Sequence, residues 1–140
     1  MSKTVKTTKG TELPLVNLKG KSYLMVAYRL QWLAEEIEKY IIETSILTSD
    51  EDHATVKATI VILDNEGKVV RKASATKTEE VKSFADFMEK AETGAIGRAL
   101  AMLGFGTQHA LADLDEGERI VDTPLKSVKG EVKVAKAGDF

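Results

Sequence analysis

The sequence contains no cysteine, which excludes disulfide frameworks, cysteine-ligated zinc, iron–sulfur clusters and thiol catalysis. It also contains no apolar run near the roughly 18 residues that a membrane span needs. The opening residues, MSKTVKTTKG, have no apolar core that could act as a secretion signal. These absences predict a cytoplasmic protein that has no membrane partner.

The sequence also lacks a large excess of charge of one sign. Its 20 basic and 22 acidic residues give a formal charge of −2, without the strongly basic balance of a nonspecific duplex-binding protein. Any basic site must therefore be local. The clearest concentration lies in residues 1–22, where five lysines and one glutamate give +4 and leave −6 for the remaining chain.

Proline is scarce, and its two positions indicate the domain organisation. Pro14 and Pro124 lie near the two ends, and no linker rich in glycine and serine interrupts the chain between them. We predict a basic N-terminal arm over residues 1–22, one core domain over 23–113 and a mostly flexible tail over 114–140. Both ends are expected to be mobile.

Hydrophobic periodicity predicts the secondary structure of the core. Apolar residues recur at helical spacing from 23 to about 39, and alternation with β-branched residues predicts strands over 40–47, 54–63 and 68–77. A turn at residues 64–67 joins the last two strands, and a second helix follows, which Gly104 ends. The predicted fold is α+β: a helix, a three-stranded antiparallel β-meander and a long helix packed on the sheet.

The sequence gives no positive indication of catalysis. It contains no Walker loop, HExxH or GxSxG motif. His53 stands beside three acidic residues in an expected solvated turn, without the spacing of a known metal site, and His109 stands alone. We therefore predict no enzymatic activity, no bound metal and no cofactor.

The second helix carries unusually small residues. Glycine inside a helix costs about 1 kcal/mol relative to alanine, so Gly94 and Gly97 indicate that something approaches the helix closely. Tight helix-to-sheet or subunit packing is one explanation. The other is a phosphate backbone lying beside Arg98, because Lys90 and Arg98 project from one side of the helix with Thr93 alongside as a hydroxyl donor.

The first helix carries a second basic and aromatic grouping. Arg29 and Trp32 are spaced i, i+3, and Lys21 lies nearby. A cation beside an exposed ring suits single-stranded nucleic acid, because the cation contacts phosphate and the ring stacks on unpaired bases. The alternative is structural: Trp32 belongs to the core and Arg29 pairs with Glu36.

The predicted β-hairpin adds further cations to both groupings, although on its own it would be an ordinary solvated face. The residues predicted to bind DNA are Lys21, Arg29, Trp32, Lys57, Arg71, Lys72, Lys77, Lys90, Thr93 and Arg98.

Three segments together resemble a known family. They are YLMVAYRLQWLAEEI, the meander ATVKATIVILDNEGKVVRKASATK, and EKAETGAIGRALAMLGFGTQ. The arrangement is similar to phage single-strand annealing proteins of the Erf and Sak types, which share their core with the eukaryotic recombination annealing protein of the RAD group. The resemblance covers about residues 13–113.

The resemblance implies protomers that assemble into rings or filaments and hold single-stranded DNA in a basic groove with its bases exposed. Arg29, Thr93 and Arg98 match groove positions of the family. Gly97 stands where the eukaryotic members have a second basic residue, so hairpin cations are the candidates to replace that charge: Arg71, Lys72 and Lys77.

The predicted function is non-enzymatic binding of single-stranded DNA by a homo-oligomer that promotes annealing in phage-type recombination or replication, within a bacterial host cell. Two alternatives remain open. One is a replication-type protein that protects single strands without annealing them, for which the C-terminal Gly138-Asp139-Phe140 is the only specific hint. The other is an oligomeric scaffold that binds no DNA.

Overall fold

The computed structural model describes residues 3–18, 20–82 and 85–110, together with the backbone of residues 132–134. Two short antiparallel hairpins come first, formed by β1 (Thr4–Lys6) with β2 (Glu12–Pro14), and β3 (Val16–Leu18) with β4 (Lys21–Tyr23). The main unit follows as α1 (Val26–Glu36), β5 (Lys39–Ser49), β6 (His53–Leu63), β7 (Val69–Glu80) and α2 (Phe87–Leu103). After it come a 3-10 helix (Thr107–His109) and β8 (Val132–Val134).

The main sheet has the strand order β7-β6-β5-β8, and every neighbouring pair is antiparallel. Its register places Ile42 opposite Ile60, and Ala58 opposite Ala75. The α+β class is therefore confirmed, and the predicted meander is present as β5, β6 and β7. The sheet also has a fourth strand, and the two N-terminal hairpins form separate small sheets that the sequence analysis did not predict.

The turn between β6 and β7 has the local chemistry that its sequence indicates. The carboxylate of Asp64 accepts the backbone N–H groups of Glu66 and Lys68, both at 2.9 Å. Gly67 has φ of +84°, a left-handed conformation that glycine adopts without a steric penalty. The predicted hairpin is confirmed.

The core lies between one face of the main sheet and the helices. Alternate residues of β6, from Ala54 to Ile62, are buried, whereas none of the residues between them is. Helix α2 packs on β6 and β7 and buries Ala95, Ile96 and Leu100 completely. This one-sided burial is typical of an antiparallel sheet that carries helices on a single face.

Helix α2 ends where the sequence predicts. Gly104 has φ of +96°, and its N–H group bonds to the carbonyl oxygens of Leu100 and Ala101. At the other end, Asp86 stands at the N-cap position without a side-chain capping bond.

The N-terminal arm differs from the mobile segment that we expected. Its described residues form the two hairpins, and Leu13 is only 1% exposed. The hydroxyls of Thr7 and Thr11 both donate to the carboxylate of Glu35 on α1, and that of Thr8 donates to Glu36 at 2.8 Å. Short strands of three residues carry too little periodicity to be recognised in the sequence.

Helix α1 is shorter than predicted, because Ile37 is already extended and β5 begins at Lys39. The β-branched residues that come next pair with β6, and this pairing outweighs the helical spacing of residues 37–39. Within the described ranges, neither helix is both long and apolar enough to cross a bilayer. The predicted flexible tail, apart from the backbone of β8, lies outside the described residues.

Candidate nucleic-acid interface

Arg29, the cation predicted on the first helix, is a core residue. Its side chain has no exposed surface. Its guanidinium donates to the carbonyl oxygens of Leu24 at 3.0 Å and Gly97 at 2.9 Å, and to the hydroxyl of Tyr23 at 3.3 Å. Arg29 therefore joins α1 to α2 and to the end of β4.

Two of the small residues of α2 make contacts within the chain. The backbone carbonyl of Gly97 accepts the guanidinium of Arg29. At Gly94, a Cβ atom would lie 2.7 Å from Cγ of Lys77, the buried lysine of β7. Tight packing against Lys77 thus accounts for Gly94.

Lys77 itself lies between the sheet and α2. Only 8% of its surface is exposed, and its Nζ lies 3.9 Å from the carboxylate of Glu79, which is 4% exposed. Nearby on α2, Thr93 is fully buried and the buried carboxylate of Glu92 accepts the hydroxyl of Thr44 at 2.9 Å.

Three of the predicted DNA contacts are therefore not supported by the structure. Arg29, Lys77 and Thr93 lie in the core of this arrangement and present almost no surface that a nucleic acid could reach. The guanidinium of Arg29 joins the two helices, and the ammonium group of Lys77 lies beside Glu79 of its own strand. The resemblance placed Arg29 and Thr93 in a groove, and that assignment has no support from their burial.

Two other predicted cations lie at the rim where α2 meets the sheet. Arg98 reaches from α2 to the edge strand β7 and donates to the carbonyl oxygen of Thr76 at 3.0 Å. Arg71, near the start of β7, donates to the carbonyl oxygen of Leu103 in the last turn of α2. A cation there also interacts favourably with the negative end of the helix dipole. Lys90 is half-buried in the first turns of α2.

The side of the main sheet that faces away from the helices carries the remaining predicted cations of the hairpin. We call the outward-facing residues of β6 and β7 the open sheet face: Thr55, Lys57, Thr59, Val61, Lys72, Ser74, Thr76 and Thr78. Each of them is exposed or half-buried. Within the described part of the chain, neither Lys57 nor Lys72 forms an ion pair or a hydrogen bond with its ammonium group.

Hydroxyl pairs alternate with the lysines along the open sheet face. Thr55 is hydrogen-bonded to Thr78 at 2.6 Å, and Thr59 to Ser74 at 2.9 Å. Between these two rows Lys57 stands opposite Thr76, whose carbonyl oxygen also accepts Arg98. The face therefore combines cations and hydroxyls, the side-chain groups that commonly contact phosphate and sugar oxygens.

The last two predicted contacts lie elsewhere. Trp32 is half-buried against the core, and its indole N–H donates to the carboxylate of Glu36 at 3.1 Å. Lys21 is exposed on β4. The structure thus places Lys57 and Lys72 on one face of the sheet, with Arg98 bonded to its edge strand, and distributes the other predicted residues over the core, the rim of α2 and the N-terminal hairpins.

The acidic turn before β6 shows a local structural role for its charges. The carboxylate of Asp50 accepts the backbone N–H groups of Asp52 and His53, at 2.8 Å and 3.0 Å, and these bonds lower its pKa. Asp50 also lies 3.0 Å from Nδ1 of His53. No group of three potential metal ligands occurs among the residues that the structure describes.

A comparison with protein families identifies the main unit. The sequence model described as Slr1353 N-terminal dsRNA-binding domain-like matches residues 30–103, just over half of the chain. The chain belongs to this family. The matched range runs from within α1 to the end of α2 and includes the whole open sheet face. Searches of curated proteins and of solved structures gave no significant match.

The dsRNA-binding domain-like unit also contains a feature that sequence reasoning missed. The cross-strand hydroxyl pairs of the open sheet face did not enter the predicted site. The signal was present, because Thr55, Thr59, Ser74 and Thr78 occupy alternate positions that a strand directs to a single face.

Proposed function

We propose that this protein binds nucleic acid through the sugar–phosphate backbone, performs no catalysis, and promotes annealing of complementary single DNA strands. The observation that supports nucleic-acid binding is the family match, which covers the unit that contains Lys57, Lys72 and Arg98. The segments that resemble single-strand annealing proteins lie largely in the same unit.

The open sheet face favours contact with the backbone over reading of bases. Its hydroxyls and lysines can bind phosphate oxygens, whereas Tyr40, the one aromatic residue of β5, β6 and β7, packs against the core on the other side. Binding is therefore expected to be sequence-tolerant and to weaken with salt, because phosphate contacts release counterions. Bases that no side chain stacks on would stay available for pairing.

The family description supports a second candidate, binding of double-stranded RNA. A protein recognises an RNA duplex mostly by its shape, its 2′-hydroxyl groups and its phosphates across the minor groove. The hydroxyls and cations on the open sheet face have suitable chemistry for such contacts as well. The two candidates differ in the ligand that binds most tightly, and in whether annealing is accelerated.

The test is a binding experiment across a salt series with four labelled ligands: single-stranded DNA, its duplex, a single-stranded RNA and an RNA duplex. Annealing of complementary DNA strands is followed in the same samples, and the oligomeric state is measured by light scattering. Preferential binding of single-stranded DNA with faster annealing supports the proposal, and a homo-oligomeric ring or filament accords with it. Tight binding that slows annealing indicates strand protection.

Two further outcomes separate the remaining candidates. Preference for the RNA duplex supports the family's described ligand over the annealing function. A folded protein that binds none of the four ligands at low salt would contradict both, and would favour the scaffold alternative.

A further inference from the structure

The contacts that each basic side chain makes within the protein indicate where a nucleic acid can bind. The chain offers two candidate tracks: the helix side, where the resemblance places the groove, and the side opposite the helices. On the helix side, Arg29 and Lys77 are buried, and Arg71 donates to a backbone carbonyl at the end of α2. These three cations already have structural roles, whereas Arg98 of α2 reaches the edge strand and bonds to the carbonyl oxygen of Thr76.

The open sheet face differs because the ammonium groups of its lysines have no partner among the described residues. Lys57 and Lys72 are both exposed, and no ion pair within the described ranges involves either of them. Arg98 of α2 reaches the edge of this face, because it donates to the backbone carbonyl of Thr76, and Thr76 is the register partner of Lys57. The face therefore carries two lysines, with one arginine at its edge strand.

The spacing of this face suits an extended ligand. Lys72 pairs with Val61 and Thr76 pairs with Lys57, so the two lysines are separated by four residues along the strands. At about 3.4 Å per residue that is about 14 Å. The hydroxyl pair of Thr59 and Ser74 lies midway between them.

The hydroxyls can contribute further hydrogen bonds. In a pair of hydroxyls one O–H group donates to the other oxygen, which leaves the second O–H group able to donate outward. The pairs of Thr55 with Thr78 and of Thr59 with Ser74 each retain one such donor. Lysines and hydroxyl donors therefore alternate along β6 and β7, as a run of successive phosphates requires.

The shape of the face does not suit base reading in the groove of a DNA duplex. Reading a duplex groove requires an element that enters it, such as a helix or a two-stranded ribbon. The open sheet face has no such projection within its paired strands, and its four rows span only about 20 Å. A single strand can lie along such a surface with its bases directed away from it.

We infer that the open sheet face, through Lys57 and Lys72 with Arg98 at its edge, is the surface that binds the sugar–phosphate backbone of single-stranded DNA. This inference rests on the proposed function and assigns it to the side of the sheet opposite the helices. The bases then point outward, where the three strands place no Phe, Tyr or Trp side chain to stack on them.

The experiment compares two double variants with the wild-type protein, using a labelled oligothymidine across a salt series. Lys57→Ala with Lys72→Ala removes the two lysines of the face. Lys68→Ala with Lys82→Ala is the matched control, because these exposed lysines lie in the turn before β7 and just after it, and the net charge changes equally. Circular dichroism and urea unfolding establish that both variants fold.

The expected result is about tenfold weaker binding of the Lys57/Lys72 variant at low salt. The slope of log Kobs against log salt should become shallower by about 1.4, since each lost phosphate contact to a single strand contributes about 0.7. The Lys68/Lys82 variant should retain nearly the wild-type slope. Chemical acetylation with and without oligothymidine should show protection of Lys57 and Lys72, but not of Lys68.

Each other outcome has a distinct meaning. Equal losses in the two double variants, or no protection of Lys57 and Lys72 when wild-type protein is bound, would overturn the assignment of the surface and leave the proposed function standing. Failure of the wild-type protein to bind oligothymidine would remove the proposed function, and the surface assignment with it.

Discussion

The two faces of the main sheet use the same residue type in opposite ways. On the helix side, Lys77 is buried, lies 3.9 Å from Glu79, and extends its aliphatic stem beneath Gly94 of α2. On the open sheet face, Lys57 and Lys72 are exposed among hydroxyls. A buried ammonium group must be compensated by the protein, whereas an exposed one is compensated by water or by an incoming anion.

This difference shows that the number of cations in a segment says little about binding. Arg71, Lys72 and Lys77 all lie on β7, but Arg71 bonds to the end of α2, Lys72 is exposed and Lys77 is buried. Whether a cation is structural or available to a ligand depends on the face of the strand on which it lies and on the groups that it contacts.

The largest effect is expected for a buried cation. Arg29→Met keeps an apolar stem but removes the guanidinium. The carbonyl oxygens of Leu24 and Gly97 would then lose buried hydrogen bonds. We expect the free energy of unfolding to fall by about 3 kcal/mol or more, measured by urea denaturation.

Lys72→Met is the matched change on the open sheet face. It should alter the free energy of unfolding by no more than about 0.5 kcal/mol while weakening DNA binding. The folded fraction of the Arg29→Met protein should bind DNA as the wild type does. A stable Arg29→Met protein that has lost DNA binding would reverse these roles and restore Arg29 as a contact residue.

The second prediction concerns the contact between α2 and β7. Alanine favours a helix over glycine by about 1 kcal/mol, but a Cβ at position 94 would lie 2.7 Å from Cγ of Lys77. Because the buried stem has little room to move, Gly94→Ala should lower the free energy of unfolding by about 1–3 kcal/mol, measured by urea denaturation.

A double-mutant cycle with Lys77→Ala isolates the steric term. With the long stem removed, Gly94→Ala should cost nothing or be slightly stabilising, because only the helix propensity remains. An equal cost in both backgrounds would mean that the glycine is required for another reason.

Much of the fold could be predicted from the sequence, because its signals are local. The alternation of apolar residues in β6, Gly67 in the turn and Gly104 after α2 each specify backbone structure through nearby residues. The N-terminal hairpins could not be predicted in the same way. Their strands have three residues each, and their attachment depends on Glu35, which lies 24 residues beyond Thr11.

The candidate site was harder to predict, because burial depends on which face a strand directs to the core. Lys72 and Lys77 were grouped together as hairpin cations. They are separated by five residues, an odd number, so regular alternation along β7 places them on opposite faces. Arg29 gave no such local signal, because its partner Gly97 lies 68 residues away.

A third prediction sharpens the assignment of the open sheet face with a smaller effect. Glu43 of β5 is the register partner of Thr59 and is exposed on the same side, so its negative charge opposes a phosphate on the face. Glu43→Gln should tighten binding of single-stranded DNA by about twofold at low salt. Glu66→Gln, at the exposed turn, should have less effect. Equal changes would indicate a response to net charge alone.

The smallest expected effect is a pH dependence of the attachment of the N-terminal hairpin to α1. Hydrogen bonds from Thr11 and Thr7 lower the pKa of Glu35 below its ordinary value of 4.5. A carboxyl whose pKa is lower in the folded state stabilises that state above its unfolded pKa, and the stabilisation is lost as pH falls through the folded pKa. The attachment of the hairpin to α1 should therefore loosen only below pH 4.5.

A pH titration of the Thr7 and Thr11 amide signals by NMR should show a midpoint below 4.5, and Glu35→Gln should abolish that transition. A midpoint at or above 4.5 would mean that these bonds do not favour the ionised carboxylate, and that the hairpin is held to α1 by packing around Leu13.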